Sequence, residues 1–177
     1  MSESIPRILV VDDQPQNRML ITEYLEPLEI VIDEADSGNG CLRMLKENTY
    51  TLVILDIQMP DLDGFQVLEK MREDNDLKGI PVVFVSAIYD SDEHIVKGIE
   101  MGAIDFITKP VNINILQSKV QNFLRFYEKQ NDLDRLVKTL ETINNFIIVK
   151  DDEDYVLSNG FRVCGLNRFL EKYISLF

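Results

Sequence analysis

Histidine, cysteine and tryptophan are nearly missing from this chain: one His, two Cys and no Trp among 177 residues. Cys41 and Cys164 lie far apart and outside any Cys-x-x-Cys spacing, so neither a disulfide framework nor a zinc site is indicated. Cys41 shares a helical pattern with Leu42 and Leu45, which is the setting of a buried, inert thiol. The lone His94 excludes a histidine-rich metal centre, and its neighbours Asp90-Ser91-Asp92-Glu93 make it a solvated helix-start residue. Basic residues are short as well, 18 Lys and Arg against 31 Asp and Glu, for a net charge of −13. Binding nucleic acid needs a basic stripe, so none is expected within this span. No apolar run approaches a membrane span. The start, Met1-Ser2-Glu3-Ser4, has neither the basic nor the apolar region of a signal peptide. No membrane partner and a cytoplasmic location are therefore expected.

What is present is organised around Leu52-Val53-Ile54-Leu55-Asp56, four apolar residues that stop on an acid. A short continuous apolar run reads as a fully buried strand of a parallel sheet. The following Met59-Pro60-Asp61-Leu62-Asp63-Gly64 is turn chemistry. Ligands bind at the carboxyl ends of strands in such sheets, so what the other strands deliver to that edge matters. Arg7-Ile8-Leu9-Val10-Val11 ends on Asp12-Asp13, and Pro81-Val82-Val83-Phe84-Val85 ends on Ser86-Ala87. Ala103-Ile104-Asp105-Phe106-Ile107 ends on Thr108-Lys109-Pro110.

Three carboxylates at one edge repel, at ~4 kcal/mol for a pair ~4 Å apart with an effective dielectric of ~20. They call for a divalent cation, and hard oxygen donors without histidine suit Mg²⁺. A hydroxyl and a lysine suit the outer oxygens of a phosphoryl group. The set points to phosphoryl transfer onto an aspartate.

Between these runs the apolar spacing turns helical. Pro15 suits an early helix position, and Leu20, Ile21, Tyr24, Leu25 and Leu28 recur on one face. Ile30-Val31-Ile32 is a short strand, and Ser37 caps a helix presenting Cys41, Leu42 and Leu45. A third helix from Asp63-Gly64 buries Phe65, Leu68 and Met71 and ends in Glu73-Asp74-Asn75-Asp76. A fourth starts at Asp90 and carries Ile95, Val96 and Ile99 as its apolar stripe; a fifth begins near Asn112. Five βα units in alternation require a parallel sheet with helices on both faces.

This constellation resembles the receiver domain of two-component response regulators over residues 6 to about 126. The matching residues are Asp12 and Asp13, Asp56 within Leu55–Gly64, Ser86-Ala87, and Gly102 through Pro110. The resemblance implies a flavodoxin-like α/β fold, a doubly wound five-stranded sheet in the order 2-1-3-4-5. It implies Asp56 as the phosphoacceptor, phosphorylated by a partner histidine kinase. Mg²⁺ would be bound by Asp13, Asp56 and the backbone carbonyl of Gln58, with Asp12 holding a coordinated water. Lys109, aimed by a cis Lys109–Pro110 bond, would neutralise a phosphoryl oxygen. Ser86 would hydrogen-bond the group, and Phe106 occupies the aromatic switch position, where a plain core phenylalanine is the other reading. Gln58 and Ile88 flank the path of the hydrolytic water, and the apolar Ile88 points to slow self-dephosphorylation. The module is no enzyme beyond its own phosphoryl transfer.

Two other chemistries share parts of this pattern. An aspartate-nucleophile phosphatase of the haloacid dehalogenase type wants Asp-x-Asp, and here Gln58 stands two beyond Asp56. A flavodoxin-like electron carrier needs a hydroxyl-rich phosphate loop after the first strand, where this chain has Asp12-Asp13-Gln14-Pro15. A structural receiver that dimerises without being phosphorylated is a third reading, opposed by the intact acid, hydroxyl and lysine set.

Neither Gly nor Pro occurs from Val111 through Asn159. Phe126, Leu133, Leu136, Leu140, Ile143 and Ile147 keep a heptad register with Lys129 as its polar gap. A continuous helix from Leu116 to about Asn144 is expected, with residues 127–145 a coiled-coil signalling helix that mediates a parallel homodimer after the receiver of residues 1–126. Phe146–Lys150 and Tyr155–Asn159 read as a hairpin across the charged turn Asp151–Asp154, followed by a helical segment through Phe169-Leu170. Residues 146–177 resemble the opening of a PAS domain, cut short at Phe177, with the output domain expected beyond it.

Overall fold

The computed structural model describes the backbone of residues 5–87, 92–142, 146–149, 154–156 and 162–165, and side chains over 5–87 and 96–135. Contacts divide the chain into two compact units, Ser4–Arg125 and Phe126–Phe177.

The first unit alternates strand and helix: β1 (Arg7–Val11), α1 (Pro15–Leu25), β2 (Val31–Ala35), α2 (Gly38–Glu47), β3 (Leu52–Asp56), α3 (Gly64–Glu73), β4 (Val82–Ser86), α4 (Asp92–Glu100), β5 (Asp105–Thr108) and the start of α5 (Ile113–Thr142). The five strands form one parallel sheet in the order β2-β1-β3-β4-β5, as the resemblance implies. β3 and β4 are buried along their whole length, which is why they read as unbroken apolar runs.

Alternation along the strands fills two cores. Leu9, Val11, Val53, Leu55 and Phe84 point to one face and pack with Cys41 and Leu45 of α2 and Phe65, Leu68 and Met71 of α3. Ile8, Val10, Ile54, Val83 and Val85 point to the other and pack with Ile21 and Leu25 of α1 and Leu116 and Val120 of α5. Each such side chain stabilises the fold by roughly 1.5–3 kcal/mol through burial.

The helix starts follow the side chains available. Ser37 accepts from the Gly40 amide at 3.2 Å. Asp63 and Gln66 form a reciprocal capping box at α3, with bonds of 2.8 and 3.0 Å. Asn112 accepts from the amides of Asn114 and Ile115 at the head of α5.

The structure corrects several expectations. β2 runs on to Ala35, past Ile32, because an edge strand paired only to β1 tolerates Asp33 and Glu34. Val96 and Ile99 of α4 do not face the core; they are 50% and 58% exposed, while Gly98 is buried. In the second unit, β6 (Phe146–Val149) and β7 (Asp154–Val156) are not each other's partners. Both pair with β8 (Arg162–Gly165), β6 parallel and β7 antiparallel, in the order β6-β8-β7. β6 and β7 therefore belong to a sheet closed by a third strand rather than to a hairpin.

α5 begins at Ile113 and continues to Thr142, much as its unbroken lack of Gly and Pro indicates. Along it Phe126 and Leu133 are 66% and 54% exposed. The side chains of Leu136, Leu140, Ile143 and Ile147 lie outside the described residues, as do Ile88, the side chain of His94 and the segment around Phe169-Leu170. Among the described residues no helix is long and apolar enough to cross a membrane.

Candidate functional site: an acidic pocket at the strand ends

Parallel register brings the strand termini together. Val11 lies beside Leu55, Asp56 beside Val85, and Ser86 beside Thr108. Asp12, Asp13 and Asp56 each offer a carboxylate oxygen, all within 4.8 Å of one another. Asp12 is 0% and Asp56 2% exposed. From β5, Lys109 reaches across: its Nζ lies 2.8 Å from Asp12 Oδ2 and 2.9 Å from Asp56 Oδ2. The first contact is a hydrogen bond donated by the ammonium. The second is an ion pair, and Asp56 Oδ1 is buried without a partner at hydrogen-bonding distance and angle. Asp13 Oδ1 is likewise buried and unpartnered.

The electrostatics follow from this placement. Burial pushes the Asp56 carboxyl above the usual carboxylate range, and the Lys109 ammonium pulls against it. Burial alone would lower the Lys109 ammonium; Asp12 and Asp56 together outweigh it and hold it raised. One ammonium is thus shared by two acids, with Asp13 beside them.

Asp12 is the best-held member. It accepts from the Gln14 amide at 2.9 Å, from Asn17 Nδ2 at 3.0 Å on each oxygen, and from Lys109. Arg18 donates to the Asp12 carbonyl at 2.8 Å and to Glu34 Oε2 at 3.0 Å, tying the loop to β2. The sequence reading missed Asn17 and Arg18. Their signal is positional: side chains in the first turn of a helix project back toward the strand end before it.

The backbone around Asp56 is equally constrained. Asp61 takes a left-handed conformation (φ 66°), which short polar side chains tolerate. The chain then turns so closely that a Cβ on Gly64 would sit 2.4 Å from the Asp56 carbonyl oxygen. Gly64 is required there, and its amide donates to Ile57 O at 3.0 Å.

The described contacts gather Asp12, Asp13, Asp56 and Lys109. Ser86 is 7% exposed at the end of β4, and its carbonyl accepts from the Lys109 amide at 2.7 Å. The Lys109–Pro110 bond is cis. Gln58 lies exposed two residues beyond Asp56. Phe106 stands apart from the acids and packs on the core between β4 and α4.

The sequence model of the response regulator receiver domain matches residues 8–121. The chain belongs to the response regulator receiver family. Over 119 residues it is 34% identical to the transcriptional regulatory protein CusR of Escherichia coli (strain K12), covering 67% of this chain and 51% of that one. It is 36% identical to the response regulator PleD of Caulobacter vibrioides over 120 residues, 68% of this chain and 26% of that one. The chain spans about half the length of CusR and a quarter of PleD. Among solved structures, the signal receiver domain of a LuxO repressor-like protein from Vibrio parahaemolyticus superposes with a TM-score of 0.68 at 27% identity, covering 73% of this chain and 98% of that one. The receiver domain of the Francisella response regulator 1452 gives 0.63 at 31% identity, over 71% and 98%. Receivers of this family are signalling modules rather than metabolic enzymes.

Proposed function

We propose that this receiver takes a phosphoryl group from the phosphohistidine of a partner kinase onto Asp56, in the cytoplasm, and passes the change to an output domain outside this span. The observation that carries the reading is the cluster of Asp12, Asp13 and Asp56, the first and last buried and both paired with the Lys109 ammonium. In the transfer an Asp56 oxygen attacks phosphorus, the phosphorus–nitrogen bond to imidazole breaks, and the kinase histidine leaves and takes up a proton. Lys109 neutralises an outer oxygen of the transferred group, and Ser86 donates a hydrogen bond to it.

The donor set fits Mg²⁺: all oxygen, with three buried carboxylate oxygens that no protein donor satisfies by a hydrogen bond. Asp13, Asp56 and the Gln58 carbonyl would hold the ion, with Asp12 on a coordinated water. Bound there, Mg²⁺ supplies charge neutralisation for the phosphoryl oxygens.

Phosphorylation then shifts a pre-existing equilibrium of the face made by α4, β5 and α5, with Ser86 and Phe106 moving together. Reversing a 1:99 population takes ~5.5 kcal/mol of differential stabilisation, toward which the new bonds from Lys109 and Ser86 contribute. In this reading residues 1–126 are the receiver. The apolar seam on residues 127–145 pairs two copies as a parallel coiled coil. Intact mass with a small phosphodonor, with and without Mg²⁺, tests it: one phosphoryl adduct that needs the metal and vanishes in Asp56→Asn is the expected result. No adduct from any donor would leave a dimerising scaffold as the better account.

A further inference from the structure

Asp12 and Asp56 are both buried, yet the chain holds them differently. An ionised carboxylate offers about four acceptor directions. On Asp12 they are filled: Oδ1 accepts from the Gln14 amide at 2.9 Å and from Asn17 Nδ2 at 3.0 Å. Oδ2 accepts from the same Asn17 Nδ2 at 3.0 Å and from Lys109 Nζ at 2.8 Å. Asp13 Oδ1 and Asp56 Oδ1, by contrast, are buried without a hydrogen bond. Because one amide meets both Asp12 oxygens, the carboxylate cannot rotate without breaking a bond to Asn17.

The helix itself does not ask for an asparagine at position 17. Asparagine is a weaker helix former than leucine or glutamine, and helix starts use it as a cap. Here the N-cap is Gln14, which makes no side-chain cap bond, and Asn17 lies inside the first turn of α1. Its side chain is turned back on the acid at the preceding strand end. The next residue, Arg18, holds the main chain of that acid, donating to the Asp12 carbonyl at 2.8 Å. Two consecutive residues thus fix the backbone and the carboxylate of Asp12. The effect reaches Lys109: Asp12 offers the ammonium Oδ2 alone, and Nζ keeps its place 2.9 Å from Asp56 Oδ2. A carboxylate free to turn would follow the ammonium with both oxygens and draw it from Asp56.

We propose that Asn17 is a positioning residue of the acidic pocket. It locks the Asp12 carboxylate, keeps Lys109 shared between Asp12 and Asp56, and so sets how tightly the pocket holds a divalent cation. It acts through Asp12 and not by ligating the ion, as outer-shell partners do when they orient the groups around a metal. The inference deepens the metal-dependent reading above and rests on it for the ion.

The test is Mn²⁺ binding to the full chain, read by the EPR signal of the free ion, since Mn²⁺ takes the same oxygen donors as Mg²⁺. Asp56→Asn gives the background of ions held elsewhere on this acidic chain. The parent is expected to hold an ion that Asp56→Asn does not. Asn17→Leu keeps a branched side chain and removes the amide. It should hold that ion ~10-fold more weakly, the low end of what losing an outer-shell partner costs. Added to Asp12→Asn, the same substitution should change the affinity by less than ~2-fold, because the route through Asp12 is already gone. A general loosening of α1 would instead weaken both backgrounds alike. Equal or tighter binding in Asn17→Leu, or the same loss in both backgrounds, overturns the proposal and leaves the metal reading standing. A parent that binds no more Mn²⁺ than Asp56→Asn overturns both.

Discussion

Where β1 and β3 end, three carboxylates gather, two of them share one ammonium, and buried oxygens lack a hydrogen bond. Across β4, the rings of Phe65, Phe84 and Phe106 form a tilted row with the Lys97 ammonium at the Phe65 end. The first region holds more negative than positive charge and could hold a cation. The second is filled, so it responds only when a whole ring moves. Close packing of that kind is bistable rather than continuously deformable. β4, ending on Ser86, borders both regions.

The largest effect that breaks this contrast is loss of the row's middle ring. Phe84 is 0% exposed and touches both neighbouring rings. Phe84→Ala should lower the unfolding free energy by ~3–5 kcal/mol in urea titrations. A loss below ~1 kcal/mol would mean that the row is not packed as a unit.

Next comes Gly64→Ala. Its Cβ would press on the Asp56 carbonyl oxygen and on Ile57 Cα at 2.9 Å, and backbone cannot rotate away. We expect ~1–3 kcal/mol of destabilisation and slower adduct formation, because the strain bears directly on the proposed phosphoacceptor.

Asp56→Asn should act in the opposite direction. Burial raises the Asp56 carboxyl, so its protonated form favours the fold. That contribution is present below the ordinary carboxylate range and is lost as pH climbs through the raised folded value. Near neutrality and in a metal chelator, the ionised side chain therefore weakens the fold, and Asp56→Asn should melt a few degrees higher than the parent. A lower Tm would show that the Lys109 pair outweighs burial.

The smallest effect concerns Cys41, 0% exposed with its thiol pushed up to about 12 by burial. In a Cys164→Ser background it should resist thiol reagents at mildly alkaline pH until the chain is unfolded. Rapid labelling of the folded chain would place it outside the packed core.

Much of the sheet and the acidic pocket could be read from the residues, because both depend on local signals. β1, β3 and β4 are apolar runs, and an acid or hydroxyl where a buried run stops marks the carboxyl edge. What escaped depends on which neighbour a residue meets. β2 hid its last residues behind Asp33 and Glu34, which an edge strand accommodates. The apolar residues of α4 carry helical spacing, yet spacing does not say which side packs. The inward side there is marked by Gly98, a residue with no side chain to count. Asn17 and Gly64 shape the site through a hydrogen bond and a close approach that only the folded chain brings about. β6 and β7 flank a charged turn, but strand pairing is long-range, and β8 claims both.

The central claim is that the strand-end pocket is an underpaired carboxylate cluster in which Asp56 is a metal ligand. The most direct measurement is Tm against Mg²⁺ concentration for the parent chain and for Asp56→Asn. A ligand that binds only the folded state stabilises it by ~2.7 kcal/mol at about 100 times its Kd. The account predicts a rising, saturable Tm in the parent and little or no rise in Asp56→Asn. A flat response in the parent, or equal rises in both, would contradict it.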